Sequence, residues 1–259
     1  MTMELQVLGC SGGVGPNLYT SSYLVNGKIL IDAGTAVCGL TPEQVRKIEH
    51  ILLTHSHLDH VCGLGLMAES VYGTLSHPLC VHARKETLSL LKAHLFNWKI
   101  WPDFSKLPSV EHPTLKYEPL HSVKPLQLPD LSIHHFSLNH TVPSVAYALQ
   151  APSNNDEAGA CIVVCGDTTT NDTLWAALNK LPRVDALIIE VSFPDAEIDR
   201  ALASKHYTPS LLAADLQKLQ HKPALYLTHL KPAAADLLKA QAIERLAGWD
   251  PQILQDGMV

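Results

Sequence analysis

Three histidines and one aspartate fall within Thr54-His55-Ser56-His57-Leu58-Asp59-His60, directly after the apolar run Ile51-Leu52-Leu53. Such a run reads as a buried strand, and the polar burst after it as the strand's C-terminal end. His55 and His57 are two positions apart, so they share a side while the backbone stays extended. A turn into helix would swing Asp59 and His60 to another side, giving two pairs of ligands for two ions. Imidazole nitrogen and carboxylate oxygen are the donors zinc accepts in catalytic sites. The alternative, a polar loop of solvated histidines, accounts poorly for this density.

Residues of the same types recur at the ends of other apolar runs. Asp32 follows Leu30-Ile31 and precedes Ala33-Gly34; there it caps a turn or orients a ligand histidine from behind. His140 follows Leu138-Asn139, Asp167 follows Val164-Cys165-Gly166, Glu190 follows Ile188-Ile189, and His229 follows Leu227-Thr228. Three protein ligands suffice for one catalytic zinc. The seven candidates His55, His57, Asp59, His60, His140, Asp167 and His229 therefore support two. His206 stands just ahead of a helix that Thr208 caps and Pro209 starts. With Glu190 it makes either a structural hydrogen-bonded pair or a proton-transfer pair.

These side chains need buried strands to carry them and helices to cover the strands. Strands are expected at residues 5–8, 21–25, 28–31, 51–53, 79–81, 131–137, 145–150, 161–165, 185–189 and 224–227, with Asn26-Gly27 as a hairpin turn. Helices are expected after Thr41 and over 61–71, 85–96, 172–181, 211–219 and 232–246; residues 108–119 read as irregular and 156–159 as a turn. This alternation predicts an α/β layered architecture with the ligands at one edge of a double sheet. No composition shift divides the chain, so residues 1–259 read as a single domain with a helical and aromatic insertion around 84–118. Within that insertion, residues 97–104 with Trp98, Trp101 and Phe104 read as a lid or pocket wall, or equally as a satellite core under a loop. The stretch Gly9-Cys10-Ser11-Gly12-Gly13-Val14-Gly15 is not a dinucleotide fingerprint, because Leu18 stands where the third glycine belongs and no helix pattern follows. Its glycines instead permit a tight loop and a close approach of backbone to some other group.

The net charge of −6 argues against broad nucleic-acid binding. Six dispersed cysteines without a paired framework suit reduced thiols. Neither a signal-peptide pattern nor an apolar stretch of about 18 residues is visible, so no membrane contact and a cytoplasmic location are expected.

The ligand set from Asp32 to His229 resembles that of the metallo-β-lactamase superfamily. That resemblance implies a four-layer αββα sandwich. It also implies one zinc on His55, His57 and His140, a second on Asp59, His60 and His229, Asp167 bridging them, and Asp32 fixing the site from behind. Within the superfamily the chain resembles the class II cyclic-nucleotide phosphodiesterases most closely. The shared stretches are His-x-His-Leu-Asp-His at 55–60, Asn-x-x-Ile-Trp-Pro at 97–102, Gly-Asp-Thr at 166–168, Glu-x-Ser at 190–192, His-x-Thr-Pro at 206–209 and Thr-His-x-Lys-Pro at 228–232. They run in order from Leu8 to about Pro232. The chain departs from the family pattern at Lys205 and Tyr207, where Gly and Leu are usual, and is looser over residues 65–70.

The resemblance implies hydrolysis of 3′,5′-cyclic nucleotides, cyclic AMP or cyclic GMP, to 5′-nucleotides by a zinc-bound hydroxide. Asp59, His206 and Glu190 are the implied catalytic residues. The implied cofactor is two Zn²⁺, with manganese or iron able to occupy the same ligands. The implied partner is a small cyclic nucleotide, and a homodimer follows from the resemblance alone. Asn97, Trp101, Ser144 and Tyr207 are candidates for binding the substrate. Two rivals share the fold. A transfer-RNA 3′-processing phosphodiesterase would need a basic surface for RNA. A thioesterase or lactonase would not require Glu190 with His206.

Overall fold

Ile29-Leu30-Ile31 and Ile51-Leu52-Leu53 are apolar at consecutive positions and buried at every one, the mark of strands covered on both faces. The computed structural model describes residues 3–121, 124–153 and 157–259. The chain forms two compact units.

The first unit comprises Glu4–Cys10, Pro16–Leu120 and Gln255–Val259. Its sheet runs in sequence order through β1 (Leu5–Gly9), β2 (Ser22–Val25), β3 (Ile29–Ile31), β4 (His50–Leu52), β5 (Leu79–Ala83) and β6 (Leu115–Pro119). The first three strands are antiparallel, joined between β2 and β3 at Asn26-Gly27, where φ is 50° and 67°. Positive φ at both turn residues matches the right-handed twist of the flanking strands. From β3 onward the pairing is parallel, with helices α1 (Pro42–Lys47), α2 (Leu58–Val61), α3 (Leu64–Ser70) and α4 (Lys85–His94) in the crossovers. Thr41 and Gln44 form a reciprocal capping box at the start of α1, with Pro42 as its first residue. Leu30, Ile51, Val81, Leu88, Leu91, Phe96 and Phe104 fill the core.

Two expectations fail here for physical reasons. Residues 61–71 are not one helix: α2 ends at Val61 and α3 starts at Leu64. Gly63 lies in the break, its N–H bonded to the Ala33 carbonyl at 2.9 Å. A Cβ there would sit 2.2 Å from Val37 and 2.5 Å from the Gly34 carbonyl. The chain therefore presses closely against the loop after β3 at this break. Residues 108–119 are not wholly irregular either, because β6 pairs with β5 over Leu115–Pro119. Its alternation is masked by flanking prolines and by Lys116 and Glu118, which pair with each other at 2.6 Å on its exposed face.

β4 and β5 also carry a histidine pair, His50 Nδ1 lying 3.0 Å from His82 Nε2. Burial, and then the neighbouring His50, push the His82 imidazole down to about 4. The unfolded chain binds that proton with the ordinary value of 6.5, so between pH 6.5 and 4 it takes up more protons than the folded chain. Folding stability is expected to fall through that window by about 2–3 kcal/mol on account of His82 and to be level above it. Urea midpoints of wild type and His82→Leu at pH 7.5 and 5 test this; an equal acid loss in both proteins would refute it.

The second unit comprises Met1–Met3, Ser11–Gly15 and His121–Leu254. Its sheet has the order β13 (Gln252–Ile253), β12 (Ala224–Thr228), β11 (Ala186–Glu190), β10 (Cys161–Cys165), β9 (Ser144–Gln150), β8 (Leu131–Leu138) and β7 (Leu126–Leu128). β7 to β10 are antiparallel neighbours and β10 to β13 parallel ones. The short β7 and β13 were not expected from sequence. Helices α5 (Asp172–Leu178), α6 (Ile198–Ser204), α7 (Pro209–Leu216) and α8 (Ala235–Arg245) follow the parallel strands. Thr208 caps α7 on the Leu211 N–H with Pro209 as first residue, as expected. Trp175, Leu187, Ile189, Tyr207, Leu212 and Leu225 belong to the core. The turn expected at 156–159 begins outside the described residues. Among the described residues no helix is long and apolar enough to cross a membrane.

Candidate metal centre

In the first unit, β3 and β4 run parallel and end side by side, so Asp32 and Thr54 meet. Asp32 is 1% exposed. Its Oδ1 accepts the Thr54 N–H at 2.7 Å, while Oδ2 accepts the Thr54 hydroxyl at 2.8 Å and faces His60 Nδ1 at 2.7 Å. The Thr54 oxygen in turn lies 3.0 Å from His55 Nδ1. One buried carboxylate thus holds His60 directly and His55 through a hydroxyl. The Asp32 backbone is left-handed, φ 57°, and is tied by its N–H to the Leu52 carbonyl. His57 stands at the N-cap of α2 with extended backbone, and Asp59 follows in the first turn. The His55 ring centroid lies 4.8 Å from that of His57 and 4.2 Å from that of His60. His60 Nε2 is 3.9 Å from Asp59. Four ligand-type side chains therefore gather at the end of β4 and the start of α2.

The second unit repeats the device. Glu190, at the end of β11, is 1% exposed. Its Oε1 accepts the Thr168 N–H at 2.8 Å and faces His206 Nδ1 at 2.7 Å. Its Oε2 accepts the Ser192 hydroxyl, and the Ser192 oxygen lies 3.0 Å from His229 Nδ1. Again one carboxylate holds one histidine directly and another through a hydroxyl. Asp167, beyond the end of β10, has Oδ2 3.9 Å from His140 Nε2 and Oδ1 3.5 Å from His229 Nε2, so each oxygen faces one imidazole. His140 is fixed through Nδ1 by the Lys205 carbonyl at 3.0 Å, and the Lys205 ammonium reaches back to the His140 carbonyl. Lys205 is left-handed, φ 55°, at the C-cap of α6. That conformation explains why glycine is the residue expected there. Burial is the largest influence on His206 and pushes its imidazole down, but the Glu190 charge and hydrogen bond and the Asp167 charge outweigh it, so the group is held above its ordinary value.

The donor set fits divalent metal. His55, His60, His140 and His229 each have Nδ1 against an oxygen, so the atom each offers a metal is Nε2. That is the usual arrangement of metal-ligating imidazole, with the other nitrogen fixed by an oxygen partner. Glu190, His206 and His229 also place one donor atom each within 4.8 Å of the others. Glu190 already accepts bonds on both oxygens, however, so it acts as their holder.

The residues expected to bind substrate sit in different surroundings. Tyr207 is fully buried, and its hydroxyl donates to Asp215 at 2.7 Å. Ser144 is buried at the start of β9. The Asn97 amide is spent on its own loop, accepting from the Lys99 and Ile100 N–H groups and donating to Ala93. Trp101 lies against Gly65 and donates its indole N–H to the Gly65 carbonyl at 3.2 Å, and Phe104 is core. Trp98 is the exposed ring of the segment, at 57%. Thr54 and Ser192 stand inside the stretches singled out in the sequence, but their roles as hydroxyl links are assigned only by the structure. A hydroxyl beside a strand-end acid is too common to single out.

Among curated proteins the chain is 25% identical over 282 positions to a probable 3′,5′-cyclic-nucleotide phosphodiesterase of Yersinia pestis, covering 89% of this chain and 78% of that one. It is 26% identical over 288 positions to ribonuclease Z of Clostridioides difficile, covering 89% of each. Among solved structures the metallo-β-lactamase fold protein YhfI from Bacillus subtilis superposes with a TM-score of 0.76 at 20% identity, covering 99% of this chain and 97% of that one. The likeness shows the metallo-β-lactamase fold that the ligand order led us to expect. Residues 40–243 match the family described as class-II cAMP phosphodiesterases.

Proposed function

Because the chain belongs to the class-II cAMP phosphodiesterase family, we propose that it hydrolyses 3′,5′-cyclic nucleotides to 5′-nucleotides at a centre of two divalent metal ions, zinc foremost. His55, His57 and His140 hold one ion in this reading, Asp59, His60 and His229 the other, and Asp167 spans both. Bound divalent cations activate water near neutral pH and neutralise charge that grows on the phosphoryl oxygens. Asp59, half-buried in the first turn of α2, orients the attacking water. Asp32 and Thr54 keep His55 and His60 turned so that Nε2 faces the ion. His206, held at Nδ1 by Glu190, presents Nε2 to the phosphate and gives a proton to the leaving 3′ oxygen, and the Glu190 charge stabilises the imidazolium.

The buried Glu190–His206 pair beside Asp167 carries the reading. A thioesterase or lactonase of this fold does not require it. Ribonuclease Z is a second reading, favoured by the likeness to the Clostridioides difficile enzyme. The net charge of −6 disfavours an RNA substrate. Zinc-loaded protein should be assayed with cyclic AMP, cyclic GMP, a precursor transfer RNA and a thioester. Cyclic-nucleotide turnover at least about a hundredfold above the others, roughly 2.7 kcal/mol, is expected. Turnover of the RNA or thioester without turnover of either cyclic nucleotide would overturn the reading.

A further inference from the structure

The glycine loop that is no nucleotide fingerprint has a partner inside the second unit. Ser11 forms a parallel bridge with Leu230, and the Gly12 N–H donates to the Leu230 carbonyl at 3.1 Å. The Lys231 ammonium donates to the Gly12 carbonyl at 2.9 Å. Gly13 lies over the Pro232 ring. Residues 11–13 are thus laced to residues 230–232, immediately after His229.

His229 itself has φ 61°, in the left-handed region that a non-glycine residue seldom occupies. Its ring is held at Nδ1 by Ser192, and its carbonyl oxygen lies 3.1 Å from the same hydroxyl oxygen. The Gly12 backbone closes the other side. A Cβ on Gly12 would stand 2.3 Å from the His229 carbonyl oxygen and 2.9 Å from Nδ1. Every side chain at position 12 therefore displaces either the His229 backbone or its ring, because the lacing to Leu230 and Lys231 leaves the loop no room to retreat.

We propose that Gly12, clamped by Lys231, is a positioning residue that keeps His229 in its left-handed conformation, with Nε2 aimed as a metal ligand. This rests on the metal-centre reading above. The loop is a cradle for one ligand: the backbone approach needs glycine at 12, and the ammonium of Lys231 locks the approach in place. Position 13 is different, since a Cβ there would meet only Pro232 ring carbons at 3.2 and 3.5 Å.

The test is cobalt(II) titration of the full-length apo protein, reading stoichiometry, affinity by competition with a chromophoric chelator, and the visible absorption bands. Wild type is expected to take two equivalents. Gly12→Ala should keep one tight equivalent and bind the second about 10–100-fold more weakly with altered bands, the range typical when the support of a ligand is lost. Gly13→Ala should match wild type. Lys231→Met, which leaves the glycine in place, should weaken the second equivalent about threefold to tenfold and decides the matter if Gly12→Ala fails to fold. Wild-type affinity and bands in both Gly12→Ala and Lys231→Met, or equal losses in Gly13→Ala and Gly12→Ala, would overturn the cradle and leave the metal centre standing. A wild type that binds no cobalt would overturn both.

Discussion

Asp167→Asn is expected to abolish cyclic-nucleotide hydrolysis, lowering kcat by about 10³-fold or more, roughly 4 kcal/mol of transition-state stabilisation. The substitution keeps the volume of the side chain and changes only its donors. One Asp167 oxygen faces His140 at 3.9 Å and the other faces His229 at 3.5 Å, which is what the proposed sharing of this carboxylate between two ions requires. An amide offers one oxygen and one N–H₂ group, and no orientation of it supplies an anionic oxygen to both sides. Metal content should drop from two equivalents to one or fewer, while circular dichroism remains that of wild type. A variant that retained both equivalents and more than a tenth of the rate would remove Asp167 from the bridging role.

Glu190→Gln is the second large effect. Glu190 gathers the Thr168 N–H, the His206 imidazole and the Ser192 hydroxyl on two oxygens, all nearly out of contact with water. Glutamine keeps one acceptor oxygen and puts a donor where the other was, so one of the histidine branches is left facing an N–H₂ group. A hydrogen bond to a buried charge is worth about 1.5–3 kcal/mol. Loss of the charge and of one such bond is expected to lower kcat by about 10²–10³-fold with KM changed by less than about threefold. The two branches separate by mutation. His206→Ala should lower kcat and leave metal content intact. Ser192→Ala, which removes the link to His229 together with one donor to Glu190 but leaves the Glu190–His206 contact, should weaken one metal equivalent by about tenfold. Equal kcat in Glu190→Gln and wild type would contradict the holder role, and so would loss of metal in His206→Ala with none in Ser192→Ala.

The ligand-type residues are legible in the sequence because they obey a rule of backbone geometry. Parallel strands that start and end together put their C-terminal residues on one edge, so an acid or histidine after each apolar run marks that edge without any tertiary information. The pairing of Ile31 with Leu52, and of Glu190 with Thr228, shows that register at work. What was hidden depended on contacts between residues far apart in sequence. Cys62-Gly63 breaks a pattern of helical period because Val37 and Gly34 occupy the space beside it. Tyr207 resembled a pocket residue by its neighbours His206 and Thr208, yet the ring is turned into the core, where Asp215, Trp175 and Asn171 form a buried polar knot. The sequence marks Trp101 as an aromatic ring but not the bond from its indole N–H to the Gly65 carbonyl in α3. Thr54 and Ser192 are legible only once Asp32 and Glu190 are seen to need a second recipient for each charge.

The measurement that bears most directly on the account is phosphorus NMR of cyclic AMP and cyclic GMP turned over by protein of known zinc content. The 5′-nucleotide is expected as the only new phosphorus species. The rate should rise with zinc up to two equivalents per chain, disappear on chelation and return when zinc is restored. Protein carrying two zinc ions that leaves both cyclic nucleotides intact would contradict this expectation, and so would hydrolysis at full rate by protein stripped of metal.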